Sequence, residues 1–198
     1  MNYKEQIYKQ LSENNGIVTS SWCVKEGIPS VYLTRMTKSG DLNRAARGIY
    51  TTSDDIYDSY FLLQAANPVC IFSYVSALDI LGETDLIPGY MEVTVYSGYN
   101  ASHLPEDVIL HYLRKDLYEL GIVARYTKYG NQVRQYDFEK TICDLVANRY
   151  RVDPDLFSKS MFRYVQNNDR DMHKLMNYGK LMGIDHKLRD IFEVLLNG

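Results

Sequence analysis

The sequence predicts an α+β fold: an N-terminal winged helix-turn-helix followed by a mixed α/β C-terminal domain with a helical tail. Three observations predict it. Residues 15–52, NGIVTSSWCVKEGIPSVYLTRMTKSGDLNRAARGIYTT, set short helical stretches between glycine turns and end in a basic hairpin. Period-two apolar runs such as Met91–Tyr96 follow, and from Asp137 onward the pattern is helical to the end. A composition of 45% hydrophobic and 24% charged residues suits a globular chain, and 198 residues suit two small domains, here 1–52 and 53–198.

Residues 2–14 read as a first helix, with Tyr3, Ile7 and Leu11 on one face and Asn15-Gly16 as its stop. Ile17-Val18-Thr19 is a short extended segment. Ser20 or Ser21 is expected to cap a second helix, Trp22–Glu26, and Gly27-Ile28-Pro29 is the turn. Ser30 is expected to cap a third helix ending at Gly40. There Leu33 and Met36 point inward, toward Ile28 and Leu42. Val31, Thr34, Arg35 and Lys38 fall at i, i+3, i+4 and i+7 on another face, which is polar and positive. A helix with that division suits a major groove. Residues 41–44 and 48–51 form the predicted ribbon, with Arg44 and Arg47 near its tip as phosphate ligands. The packing role fits Trp22.

A helix is predicted over Asp54–Ala66, broken at Asn67-Pro68, and another from a Ser73 cap to Leu81. Val108–Leu113, Ile122–Thr127 and Gln132–Tyr136 join Met91–Tyr96 as strands of a mixed or antiparallel sheet. The tail reads as helices over Phe138–Asn148, Pro154–Gln166, Asp169–Met182 and Asp185–Leu196.

Charge is distributed unevenly. Residues 1–52 hold seven Lys/Arg against four Asp/Glu, whereas the remainder holds fifteen against twenty-one. A basic head on an acidic body is the footprint of localised nucleic-acid binding. No apolar run reaches the roughly 20 residues of a membrane span, and the charged N-terminus has no signal-peptide core, so a cytoplasmic protein without a membrane partner is expected. Cys23, Cys70 and Cys143 lack ligand or disulfide spacing and read as buried thiols. His103, His111, His173 and His186 form no metal-binding pair, and no phosphate-binding loop or nucleophile elbow occurs. Asp137, Glu139 and Lys140 come nearest to a nuclease cluster. Their spacing puts them at a helix start, with Asp144 a cap or internal salt-bridge partner. The eighteen tyrosines are dispersed rather than gathered into a stacking platform. No enzyme, cofactor or metal is expected.

In residues 16–50, the Gly-Ile-Val-Thr opening, the Gly27-Ile28 turn, Leu33, Arg35 and Lys38, Gly40-Asp41-Leu42-Asn43-Arg44 and Arg47-Gly48-Ile49-Tyr50 resemble the head of the AbiEi family of bacterial abortive-infection antitoxins. Phe138-Glu139-Lys140-Thr141-Ile142-Cys143-Asp144-Leu145 is similar to a segment of that family's C-terminal domain. The resemblance implies a type IV antitoxin that binds inverted repeats in its own promoter as a negative autoregulator. It also implies that the body counters a nucleotidyltransferase toxin encoded nearby, with no stable complex between them. Carried onto this chain, the DNA contacts are Thr34, Arg35, Lys38, Arg44 and Arg47. Inverted repeats suit a monomer in solution with two copies on DNA.

A second basic set, Arg125, Lys128 and Arg134 about one hairpin and Arg149 and Arg151 after the Lys140 helix, is expected to include further DNA contacts, because one small winged helix supplies few. The competing function is a winged-helix adaptor whose head binds protein and whose body sequesters a partner.

Overall fold

A computed structural model describes residues 2–52 and 58–197. Asn2 starts α1 (Tyr3–Glu13) with a capping box, accepting from the Lys4 amide while the Glu5 carboxylate accepts from the Asn2 amide. Asn15 and Gly16 both take positive φ and turn the chain into β1 (Ile17–Thr19).

The cap of α2 (Ser20–Lys25) is Thr19 rather than Ser20 or Ser21. Thr19 still has the extended backbone that an N-cap requires, and its hydroxyl accepts from the Trp22 amide at 3.2 Å. Likewise Ser30, before α3 (Val31–Lys38), is already in the helical region and caps nothing with its side chain. The turn begins a residue earlier, where the Pro29 carbonyl accepts from the Tyr32 amide.

Strands β2 (Asn43–Ala46) and β3 (Ile49–Thr51) make the wing, and β1 pairs with the other edge of β3, giving a three-stranded antiparallel sheet in the order β1-β3-β2. The ladder shifts register between Arg44 and Ala46. Against the expected ribbon the first strand lies two residues later and the second starts one residue later; Arg47 sits in the turn and Arg44 stands on the strand, opposite Tyr50. One core joins Ile7, Leu11, Val18, Cys23, Ile28, Leu33, Met36 and Leu42, with Trp22 packed against it. A second joins Ile17 and Ile49 to Leu62 of α4 (Ser59–Ala66). Residues 54–57 of the predicted helix lie outside the described residues. Contacts divide the chain into residues 1–68 with 126–133, and 69–125 with 134–198, which differs from the expected division at 52/53 because α4 packs on the wing.

The second unit contains β4 (Ile71–Phe72), α5 (Tyr74–Leu81), β5 (Met91–Tyr96), β6 (Val108–Leu113) and α6 (Lys115–Tyr118), then β7 (Ile122–Tyr126) and β8 (Gln132–Tyr136), whose tip counts with the first unit. The sheet is mixed, ordered β6-β5-β4-β8-β7, with β4 antiparallel to β5 and parallel to β8, and β5 parallel to β6. Helices α7 (Phe138–Ala147), α8 (Pro154–Gln166), α9 (Met172–Met182) and α10 (Asp185–Asn197) follow, with a 3-10 turn at Arg149–Arg151. Asp153 caps α8 ahead of Pro154 at N1, as the sequence signals.

Helix α7 is buried at every position from Phe138 to Val146. Lys140 is fully enclosed; its Nζ donates to Asp144 Oδ1 at 2.6 Å and lies 4.3 Å from the centre of the Tyr136 ring. Burial pushes the Asp144 carboxyl above the ordinary range, and the neighbouring ammonium opposes that shift. Lys174 of α9 bridges Asp137 and Glu139 at 2.9 and 3.2 Å. Burial alone would lower Lys174, but these two carboxylates hold it above the usual lysine value.

Removing one member of the enclosed pair leaves a lone buried charge. Lys140→Met or Asp144→Leu alone should cost about 3–5 kcal/mol in urea unfolding, and the double variant much less than the sum. Additive losses would show that the two charges do not depend on each other.

Candidate nucleic-acid interface

Helix α3 separates its faces cleanly. Leu33 and Met36 are 1% and 2% exposed, whereas Val31, Thr34, Arg35 and Lys38 face solvent, so the four side chains singled out by spacing do share the outer face. The helix is fixed from behind. Tyr32 meets Tyr3 of α1 edge to face at 5.2 Å, and Asp41, just past the helix, receives the Ser39 hydroxyl at 2.8 Å and the Lys4 ammonium at 2.9 Å. Those two bonds, Lys4 first, hold the Asp41 carboxyl below its ordinary value.

Charge pairing sorts the cations of the head. Lys4 is neutralised by Asp41, and Lys9 lies 3.7 Å from Glu13. Arg35, Lys38, Arg44 and Arg47 have no carboxylate partner among the described residues, and all four are exposed; Arg35 lies 5.9 Å over the Tyr32 ring of its own helix. The acids of the head thus neutralise α1 and leave the outer face of α3 and the wing positive, which is the distribution phosphate binding requires.

Residues 6–52 match the family model described as "Transcriptional regulator, AbiEi antitoxin". This segment is similar to the regulator domain of AbiEi antitoxins. The family is one of transcriptional regulators rather than a class of enzymes. Over 96% of this chain and 80% of the other, the fold matches the crystal structure of the RV2827C protein from Mycobacterium tuberculosis, with a TM-score of 0.50 and 13% identity, a likeness of fold alone. None of the curated proteins matches the chain. Among the described residues, no helix is long and apolar enough to cross a membrane.

The unit that carries the matched segment includes one member of the second basic set. Lys128 sits at the β7–β8 tip, exposed, 5.2 Å from the centre of the Tyr129 ring. The others belong to the second unit. Arg134 is exposed on β8, and its charge partly opposes the upward shift that burial imposes on Tyr118 and Cys70; Arg149 lies 4.1 Å over the Phe157 ring; and Arg151 borders a cavity with Tyr74 and Glu92. Arg125 is exposed on β7. Lys128 is thus the member of the expected second set within the unit of the head.

What holds Lys128 there is Asp58, a residue without a local sequence signal. Its Oδ1 caps α4 by accepting from the Phe61 amide at 3.1 Å, and its Oδ2 accepts from the Thr127 hydroxyl and from Asn131 Nδ2 at 3.0 Å. Asn15 donates to the Tyr129 carbonyl at 3.2 Å. At 1% exposure Asp58 ties α4 to the 127–131 tip within one unit. Asp58→Ala should cost about 3 kcal/mol, a lost cap plus unsatisfied buried donors, with Asp58→Asn recovering part of it in chemical denaturation. A loss within about 0.5 kcal/mol of zero would show that the tip is not held through Asp58.

Proposed function

We propose that the protein is an operator-binding antitoxin that represses its own operon. Its AbiEi head binds inverted repeats in promoter DNA, with the chain a monomer in solution and two copies on the operator. Its activity in the cell is to counteract a nucleotidyltransferase toxin encoded nearby without a stable complex, in the type IV manner, and the setting is the cytoplasm. The observation that carries this reading is the unneutralised outer face of α3 in a segment matching a transcriptional-regulator family. Thr34, Arg35 and Lys38 face the groove, with Arg35 long enough to reach a base edge, and Arg44 and Arg47 hold phosphates. Lys128 adds a phosphate contact from the hairpin tip. No catalytic step is assigned to the body.

Two measurements test the reading. In gel shifts on the upstream promoter, Arg35→Ala should weaken binding by about 1–3 kcal/mol and relax preference at one base position, while Lys38→Ala should weaken it across sequences. A double variant that binds as wild type would remove DNA from the head's role and leave the protein-binding adaptor. The salt dependence of the same binding addresses the second set: Lys128→Glu should lower the slope of log affinity against log salt by about one. Arg134→Glu, measured in parallel, reports whether β8 takes part, and unchanged slopes in both would restrict the interface to α3 and the wing.

A further inference from the structure

The second unit contains a cavity of about 390 Å³, within the size range of small-molecule sites, bordered by Tyr74, Tyr90, Glu92, His111, Arg151 and Asp153. Its walls come from β5, β6, α5, the 3-10 turn and the start of α8, and its apolar side is supplied by Leu145 and Leu156.

The lining is built rather than incidental. Tyr74 adopts φ +47°, a conformation that bulky residues rarely occupy and that marks functional sites when the surroundings enforce it. Its ring stacks on His111 at 4.0 Å and 26°, and its hydroxyl accepts from Asn148 Nδ2 at 2.7 Å. Glu92 Oε2 accepts from the Val75 amide at 2.9 Å, while Oε1 stays 3.6 Å from His111 Nε2, a buried atom with no hydrogen bond. Asp153 Oδ1 accepts from the Asp155 and Leu156 amides, both at 2.9 Å. Each carboxylate therefore has one oxygen that accepts no hydrogen bond among the described residues. Burial raises the Tyr90 phenol, and the charges of Glu92 and Asp153 add to that shift. Arg151 is exposed; its amide donates to the Asn148 carbonyl, while its guanidinium has no hydrogen bond or ion pair among the described residues.

These groups constrain the occupant. Two carboxylates against one guanidinium repel a polyanion such as a nucleotide phosphate. A simple acid would satisfy Arg151 and leave both carboxylates without a counter-charge, and a simple amine would do the reverse. A molecule carrying one ammonium, one carboxylate and an apolar or aromatic body satisfies all three and fills the space between Tyr90 and the leucines. We propose that this cavity binds a free α-amino acid with an aromatic or large aliphatic side chain. Its ammonium is held by Glu92 and Asp153, its carboxylate by Arg151, and its side chain by the aromatic and leucine walls. The proposal does not depend on DNA binding by the head.

The test is calorimetric titration of the full chain with tryptophan, phenylalanine and leucine, beside 3-phenylpropanoate, phenethylamine and AMP, with the His111 ring signals followed by NMR. At least one amino acid should bind saturably at millimolar or lower concentration and shift His111. The analogue lacking the amine and the one lacking the carboxylate should each bind about tenfold or more weakly than phenylalanine. Arg151→Gln and Asp153→Asn should each weaken binding about tenfold without lowering the melting temperature of the unliganded chain, since Asn is itself a good helix cap. Failure of all the amino acids to saturate, tighter binding of AMP, equal binding of the amine-free acid, or full affinity in Arg151→Gln would each overturn the assignment.

Discussion

An ammonium with no exposure at all has one route to stability, which is a partner close enough to offset its lost hydration. Lys140 meets that requirement with Asp144 one turn along the same helix and the Tyr136 ring against its side. Because the pair is internal to α7, the helix presents no charge that must reach water, and α5, α8, α9 and α10 can close around it. The acids at its start follow the same logic, with Lys174 neutralising Asp137 and Glu139 from α9. Even the approach of the chain is set by it: a Cβ on Gly121, at φ +75°, would lie 2.7 Å from Lys140 Cβ, so only glycine passes there. The core of the second unit thus depends on charge that has been neutralised locally.

The head distributes charge in the opposite way. Two of its acids, Asp41 and Glu13, pair with lysines of α1, and the cations of the outer face are left without carboxylates among the described residues. An unpaired arginine or lysine in water costs little, so the arrangement does not weaken the unit, and it leaves those cations available to displace counterions from a polyanion. Lys4 has a structural consequence here: by binding Asp41 it both anchors the end of α3 and removes the acid nearest to Lys38 in sequence from competition for it.

The parts of this architecture that were legible in the sequence are those with a period or a cap. β5, β6 and β8 match the bounds of their β-branched and aromatic runs, and the start of α8 matches the Asp153-Pro154 signal. The outer face of α3 was legible because helical spacing alone separates Leu33 and Met36 from Thr34, Arg35 and Lys38. What was not legible depended on distant partners. α6 and the 3-10 turn are too short to show a period. Lys140 in isolation reads as a solvated cation; the Asp at i+4 is its local signal, and that spacing fits an exposed pair equally well. Tyr74, Glu92, His111 and Arg151 come from four separate segments, so the cavity they border has no sequence motif. Asp58 falls inside the helix expected over residues 54–66 rather than at its cap, and nothing in the sequence links it to Thr127 and Asn131.

The same distance effect separates the segment that carries the family match from the physical unit that contains it. Residues 6–52 hold the helix-turn-helix and the wing, yet one side of the wing, Ile17 and Ile49, is buried against Leu62, beyond that segment. α4 in turn starts on Asp58, whose other oxygen binds the 127–131 tip. A chain ending at Thr52 would expose Ile17 and Ile49 and would lack the partner that Asn15 finds at Tyr129. The helix-turn-helix can therefore be recognised from 47 contiguous residues, whereas the surface that supports it draws on chain up to residue 133. Recognition is local because it is written in one helix face, and stability is not, because a three-stranded wing with one open apolar side must be covered by something else.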